Sequence, residues 1–116
     1  MALSFPSEVW IKELSDRLNQ SESYERSAKD WEGDFLFVIE PDDAYDGTAY
    51  LYLGLHHGES TGAAMVEDED ERETEFVIRA PYSTWRRVIE AKLDPIQGMM
   101  TRQLKLSGNM MKVMRY

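Results

Sequence analysis

The hydrophobic period of this chain changes twice along its length, and those changes limit what it can fold into. In "EVWIKELSDRLNQS" the side chains of Trp10, Leu14 and Leu18 recur at i, i+4 and i+8 and are joined by Ile11, the stripe of an amphipathic helix. Ser7 stands where an N-cap is needed, and Glu8 puts negative charge into the first turn. "SESYERSAKDW" reads as a second short helix with Tyr24, Ala28 and Trp31 on one side. At "GDFLFVIEP" the period drops to two, Pro41 ends the run, and "DDAYDG" supplies turn chemistry. "TAYLYLGLHHG" alternates Tyr50 and Tyr52 with Leu51, Leu53 and Leu55, which predicts a strand with one aliphatic face. "GAAMVED" and "ETEFVIRA" predict a third and fourth strand, with the acidic "EDEDER" between them as a hairpin tip.

Helical spacing returns in "PYSTWRRVIEAKLD" through Trp85, Val88, Ile89 and Leu93, after Pro81 and a Ser or Thr cap. Asp94 before Pro95 opens a short helix or turn, "LKLSG" is a brief strand, and Asn109 is placed to cap a last helix. Strands bracketed by helices in this order predict an α+β protein whose helices pack mainly on one face of the sheet. A chain of 116 residues is long enough for one core and too short for two ordinary ones, so one domain over 1–116 is expected.

Charge and composition exclude several classes of function. The net charge of -9 argues against nucleic acid as a partner, because phosphate neutralisation needs a basic face. The charge is nevertheless divided: residues 1–78 carry 5 basic and 20 acidic side chains, whereas residues 79–116 carry 8 basic and 2 acidic. An anionic partner would meet the C-terminal third. The absence of cysteine removes disulfides, thiolate metal sites and cysteine nucleophiles together. No segment approaches the roughly 20 apolar residues that span a bilayer, and "MALSFPSEVW" is not a secretory signal, so a soluble cytoplasmic protein is expected.

Catalytic and metal chemistry find little support. His56 and His57 are the only histidines, and adjacent residues on a strand point to opposite faces, so they are read as strand-end polar groups and not as metal ligands. "DDAYDG" lacks calcium-loop ligands, since Ala44 and Leu53 occupy positions that need oxygen. The acidic run 67–75 has no fixed ligand spacing and reads as a solvated surface. No nucleophile elbow, phosphate loop or dinucleotide fingerprint is present. What stands out is the placement of five of the seven methionines, Met99, Met100, Met110, Met111 and Met114, within the last eighteen residues. Methionine is unbranched and polarizable, so a wall built from it re-forms around ligands of varying shape.

"WEGDFLFVIE", "YLYLGLHHG", "EFVIRAPYSTWRRVIEAKLDPIQGMM" and "LKLSGNMMKVM", taken in that order, resemble the sterol carrier protein 2 family of lipid-binding domains over roughly residues 5–116. The resemblance implies a five-stranded, mostly antiparallel sheet with helices mainly on one face, enclosing an apolar tunnel for a fatty acid, acyl-CoA, sterol or phospholipid. It implies no cofactor and no reaction catalysed by the domain alone. Mapped onto this chain, Phe35, Phe37, Leu51, Leu53, Phe76 and Ile78 would form one wall. Trp85, Ile89, Met99, Met100, Leu104, Leu106, Met110, Met111 and Met114 would form the mobile side. Arg102, Lys105, Lys112 and Arg115 would attract a lipid head group or, transiently, an anionic membrane surface. Two departures from the family pattern bear on the ligand end: Arg102 and Gln103 replace a glycine expected before the last strand, and the final helix is short. The alternative reading is an interaction module in which the Met-rich C-terminal helix docks on a partner or forms a homodimer.

Overall fold

The structure is a computed structural model and describes residues 4–114, with the side chain of Met114 left out. Ten elements follow in chain order: α1 (Glu8–Asn19), α2 (Glu22–Ser27), β1 (Phe35–Glu40), β2 (Ala49–His56), β3 (Glu59–Val66), β4 (Phe76–Pro81), α3 (Tyr82–Ile89), α4 (Pro95–Met100), β5 (Lys105–Ser107) and α5 (Met110–Met114). Local chemistry explains most helix starts. Ser7 accepts from the Trp10 amide, Asp94 from the Ile96 amide, and Asn109 from the amides of Met111 and Lys112. Ser21 does the same for α2 through the Tyr24 amide.

The five strands form one sheet in the order β3-β2-β1-β4-β5. β1 pairs antiparallel with β2 (Phe37 opposite Leu51) and parallel with β4 (Phe37 opposite Ile78); the β2-β3 and β4-β5 pairs are antiparallel. This order corrects the reading of 67–75 as a hairpin tip. β3 and β4 are not neighbours, so the segment crosses the sheet past β2 and β1. It lies over the face away from the helices, where Arg72 sits 4.5 Å above the Tyr52 ring and Glu69 pairs with Arg79 at 2.6 Å.

That crossover leaves the central strand covered on both faces. Leu36, Val38 and Val66 form a small cluster with Tyr50, Tyr52 and Val77 on the crossover side. Phe35, Phe37, Leu51, Leu53, Phe76 and Ile78 face the helices with Ile11, Trp31, Trp85, Met99 and Leu104. A strand buried on both faces with a parallel neighbour needs a near-continuous apolar run, and "FLFVI" is one. Helix α1 is fastened to the edge strand β3 by polar contacts: Ser15 and Ser60 hydroxyls meet at 2.6 Å, and Asn19 exchanges hydrogen bonds with the Ser60 backbone. Helix α3 is anchored by the Trp85 indole, which donates to the Val38 carbonyl at 3.0 Å.

The expected Ser or Thr cap of α3 is absent. Pro81 occupies the N-cap position and makes no side-chain bond. The free amide of the first turn is served instead by Asp42, whose Oδ2 accepts from the Ser83 amide and hydroxyl, both at 2.7 Å. The "DDAYDG" turn therefore works as a remote cap, and its hydrogen bonds hold the Asp42 carboxyl below its usual range, the Ser83 amide contributing most.

Candidate functional site

Side chains on the helix-facing side of the sheet do not fill the space beneath the helices. Two apolar cavities lie there. The larger, about 320 Å³, is lined by Tyr24, Ser27, Ala28, Trp31, Phe35, Phe37, Leu55, Ile78, Pro95, Ile96, Met99 and Val113. The smaller, about 210 Å³, is lined by Phe5, Trp10, Leu14, Phe37, Leu51, Ile78, Trp85, Val88, Ile89, Pro95 and Leu104. Phe37, Ile78 and Pro95 belong to both, so the two spaces lie side by side with these β1, β4 and α4 side chains as the pinch between them. The larger is at the low end of ligand sites, which run from roughly 300 to 1,000 Å³, and the smaller falls below it.

An aromatic ribbon runs through and beneath the lining. Trp31, Phe35 and Phe76 stack pairwise with centroids 5.1 to 5.8 Å apart, Phe35 continues to Phe37 at 5.8 Å, and Phe37 meets Trp85 edge-on at 5.6 Å. Among the described residues no charged side chain lines either cavity. Among the described residues the larger one is lined by three side chains with polar groups, the hydroxyls of Tyr24 and Ser27 and the Trp31 indole, whose N–H is bonded to the Gly33 carbonyl; burial pushes the Tyr24 phenol above its ordinary range, which keeps its proton available to an acceptor. Among the described residues every buried side-chain nitrogen and oxygen has a partner.

Of the residues named from sequence, Phe35, Phe37, Ile78 and Met99 line the larger space, and Phe37, Leu51, Ile78, Trp85, Ile89 and Leu104 the smaller. Leu53 and Phe76 are buried behind that lining, and Leu106 packs against the same core. The methionines divide. Met99 is buried, whereas Met100, Met110 and Met111 are 64%, 39% and 81% exposed and line neither cavity. The reason is helical register: α5 is five residues long and turns Val113 inward, so Met110 and Met111 face out. Met114's side chain and Arg115 lie outside the described residues.

The cations are likewise of two kinds. Arg102 and Lys105 are exposed. Lys112 is engaged: its ammonium donates to the Glu32 carbonyl and to Glu75 at 2.9 Å, and lies 5.0 Å above the Trp31 ring. It thereby fastens α5 beside the larger cavity. The sequence reading missed Tyr24, Ala28, Trp31, Ile96 and Val113 as lining residues. Tyr24, Ala28 and Trp31 share the apolar side of the helix expected there, which is the available signal, although α2 itself ends at Ser27 with Ala28 as its C-cap.

The histidines also require correction. His56 ends β2, but His57 and Gly58 form a two-residue hairpin turn with φ of 50° and 83°. The left-handed backbone at His57 swings its ring to the same side as His56, and the rings stack at 4.1 Å. Both approach Glu32, whose carboxyl is held below its usual range, chiefly by the hydrogen bond with His57.

The fold and its cavities define a class: an α+β protein with a five-stranded sheet whose helices enclose an apolar space. Comparison with known proteins gives the family. The profile of the SCP-2 sterol transfer family matches residues 11–116, and the chain belongs to that family. It is similar to a crystal structure of sterol carrier protein 2 at 32% identity, with a TM-score of 0.84, over 96% of this chain and 86% of that one. It is similar to a conserved hypothetical protein from Thermus thermophilus, also at 32% identity, with a TM-score of 0.88, over 99% of this chain and 81% of that one. The palmitated SCP2L2 of Aedes aegypti shares the fold at 10% identity, with a TM-score of 0.65, over 94% of this chain and 90% of that one. No curated protein sequence matches the chain. The family is one of lipid-binding and lipid-transfer domains. Among the described residues no helix is long and apolar enough to cross a membrane.

Proposed function

We propose that this chain carries an elongated lipid, foremost a fatty acid or fatty acyl group, across the two adjoining cavities and catalyses no reaction on it. The observation that carries the reading is the pair of apolar spaces adjoining at Phe37, Ile78 and Pro95. A flexible chain can bend through such a pinch, whereas a rigid ring system has to displace it. About ten buried methylenes at ~0.8 kcal/mol each match the roughly 8 kcal/mol of a micromolar complex before ordering costs. Phe35, Ile96, Met99 and Val113 would hold the chain in the larger space, and Leu51, Trp85, Ile89 and Leu104 in the smaller. The Tyr24 hydroxyl would donate to a carboxylate or ester oxygen. Membership in a lipid-binding family and the palmitated relative support the ligand class.

Delivery follows from what remains outside. Met100, Met110 and Met111 are exposed, as are Arg102 and Lys105, and exposed apolar and cationic side chains of this kind suit brief contact with an anionic membrane. The test is displacement of a fluorescent fatty acid from delipidated protein, with sterol, acyl-CoA and phospholipid as competitors. Saturable binding is expected, weakened in Ile96→Asp by the charge placed in the lining, with thermal unfolding to verify that the variant folds. Absence of saturable binding by every lipid class would refute the reading.

A further inference from the structure

Trp31 and Leu55 line the larger cavity, and Leu55 also borders, with Glu32, Gly33, Asp34, His56, Thr61 and Glu75, a polar recess at the same end of the strands. The backbone there is fixed. Glu32 and His56 form an isolated antiparallel bridge, the His57 amide donates to the Trp31 carbonyl at 2.7 Å, and the Gly33 amide to the Leu55 carbonyl at 3.2 Å. On this frame Glu32 Oε1 lies 2.7 Å from His57 Nε2 and 4.0 Å from His56 Nδ1, and the three side chains each bring a ligand atom within 4.8 Å of the others.

Two ligands of a tetrahedral ion with bonds of about 2.0 to 2.1 Å stand about 3.4 Å apart. The observed 2.7 and 4.0 Å spacings straddle that value, and all three side chains are more than half exposed, so small rotations can equalise them. We propose that Glu32, His56 and His57 bind one divalent transition-metal ion of the zinc class, with water completing its coordination. Two imidazoles and one carboxylate suit zinc, copper or nickel and not calcium or magnesium, which take oxygen ligands. Lys112 is the neighbouring cation, and the Glu75 carboxylate bonded to it offsets its charge. The ion would tie the segment before β1 to the β2-β3 turn through side chains, beside the backbone bridge that already joins them, and stiffen the Trp31 and Leu55 edge of the cavity. The site stands independently of the lipid reading.

The test is calorimetric titration of zinc chloride into the metal-free full chain, followed in parallel by imidazole NMR. One ion per chain is expected, with the His56 and His57 resonances shifting together and no response to magnesium. His56→Gln and His57→Asn each weaken binding by at least about tenfold. Asparagine is chosen at 57 because it tolerates positive φ, and the thermal unfolding of both variants, whose changes are at the surface, checks that they fold. Glu32→Gln also weakens binding. The proposal is overturned by an absence of stoichiometric binding. It is equally overturned if the double histidine variant binds as wild type does.

Discussion

At the scale of single residues, Gly108 and Lys112 decide how the end of the chain meets the sheet. Gly108 has φ of 128°, and a Cβ there would stand 2.6 Å from Phe76 Cδ1 and 3.0 Å from the Glu75 carbonyl. Gly108→Ala therefore meets both backbone strain and a fully buried ring, and a loss of about 1 to 3 kcal/mol is expected in chemical denaturation. Lys112 acts a few residues later. Its contacts with Glu75 and Trp31 are partly exposed, so Lys112→Met should cost no more than about 1 kcal/mol of global stability. It should instead speed amide exchange across 110–114, and added salt should bring the wild type toward the variant. Unchanged exchange in α5 would show that Val113 alone holds the helix. Neither role is visible in sequence, because Gly108 and Lys112 meet partners more than thirty residues away.

At the scale of elements, what was legible followed the range of the interaction. The caps Ser7, Asp94 and Asn109 bond amides two or three residues on, so their chemistry is written locally. The α3 cap is written elsewhere: Asp42 reaches Ser83 across 41 positions, and no pattern around Pro81 announces it. Asp42→Ala should lower the unfolding temperature, whereas Asp42→Asn, which keeps one carbonyl oxygen as acceptor, should lower it less. Linkage gives a second expectation. Because the native carboxyl is held below its ordinary value of 3.8, its contribution is complete above that value and fades as pH falls through the lower native value. Melting temperatures of wild type and Asp42→Asn should therefore converge in acid, below about pH 4. A gap of constant size down to pH 2 would exclude Asp42 as the titrating cap. The same limit of range explains the segment 67–75. Alternation shows that β3 and β4 are strands but carries nothing about which strands lie between them.

At the scale of the whole molecule, the strands and the face each strand residue takes were legible in the sequence, whereas the strand order and much of the helical lining were not. Strand faces are legible because alternation fixes which residues share a side, and so Phe35, Phe37, Leu51 and Ile78 were named from β1, β2 and β4. The helical side was less so, since a helix of five or six residues presents one or two positions inward, and composition does not say which. Methionine-rich α5 offers Val113 to the cavity and Met110 and Met111 to solvent. Phe37 is where the two halves of the site meet, because it lines both cavities and touches Phe35 and Trp85. Phe37→Ala would join the two spaces into one. Removing a large aromatic from this core should cost about 3 to 5 kcal/mol in the lipid-free protein, toward the lower figure because the ring is only half-buried. Ligand binding acts against that loss, since a lipid that fills the merged space stabilises the variant by mass action more than it stabilises wild type. The expected result is a lower unfolding temperature without lipid, a larger upward shift with it, and a gain in affinity for bulky sterols relative to fatty acids. Fatty-acid and sterol titrations of both proteins, with melting curves at matched saturation, measure all three. If Phe37→Ala loses stability and gains no sterol affinity, the pinch is a packing feature of the core and not a determinant of what the cavity accepts.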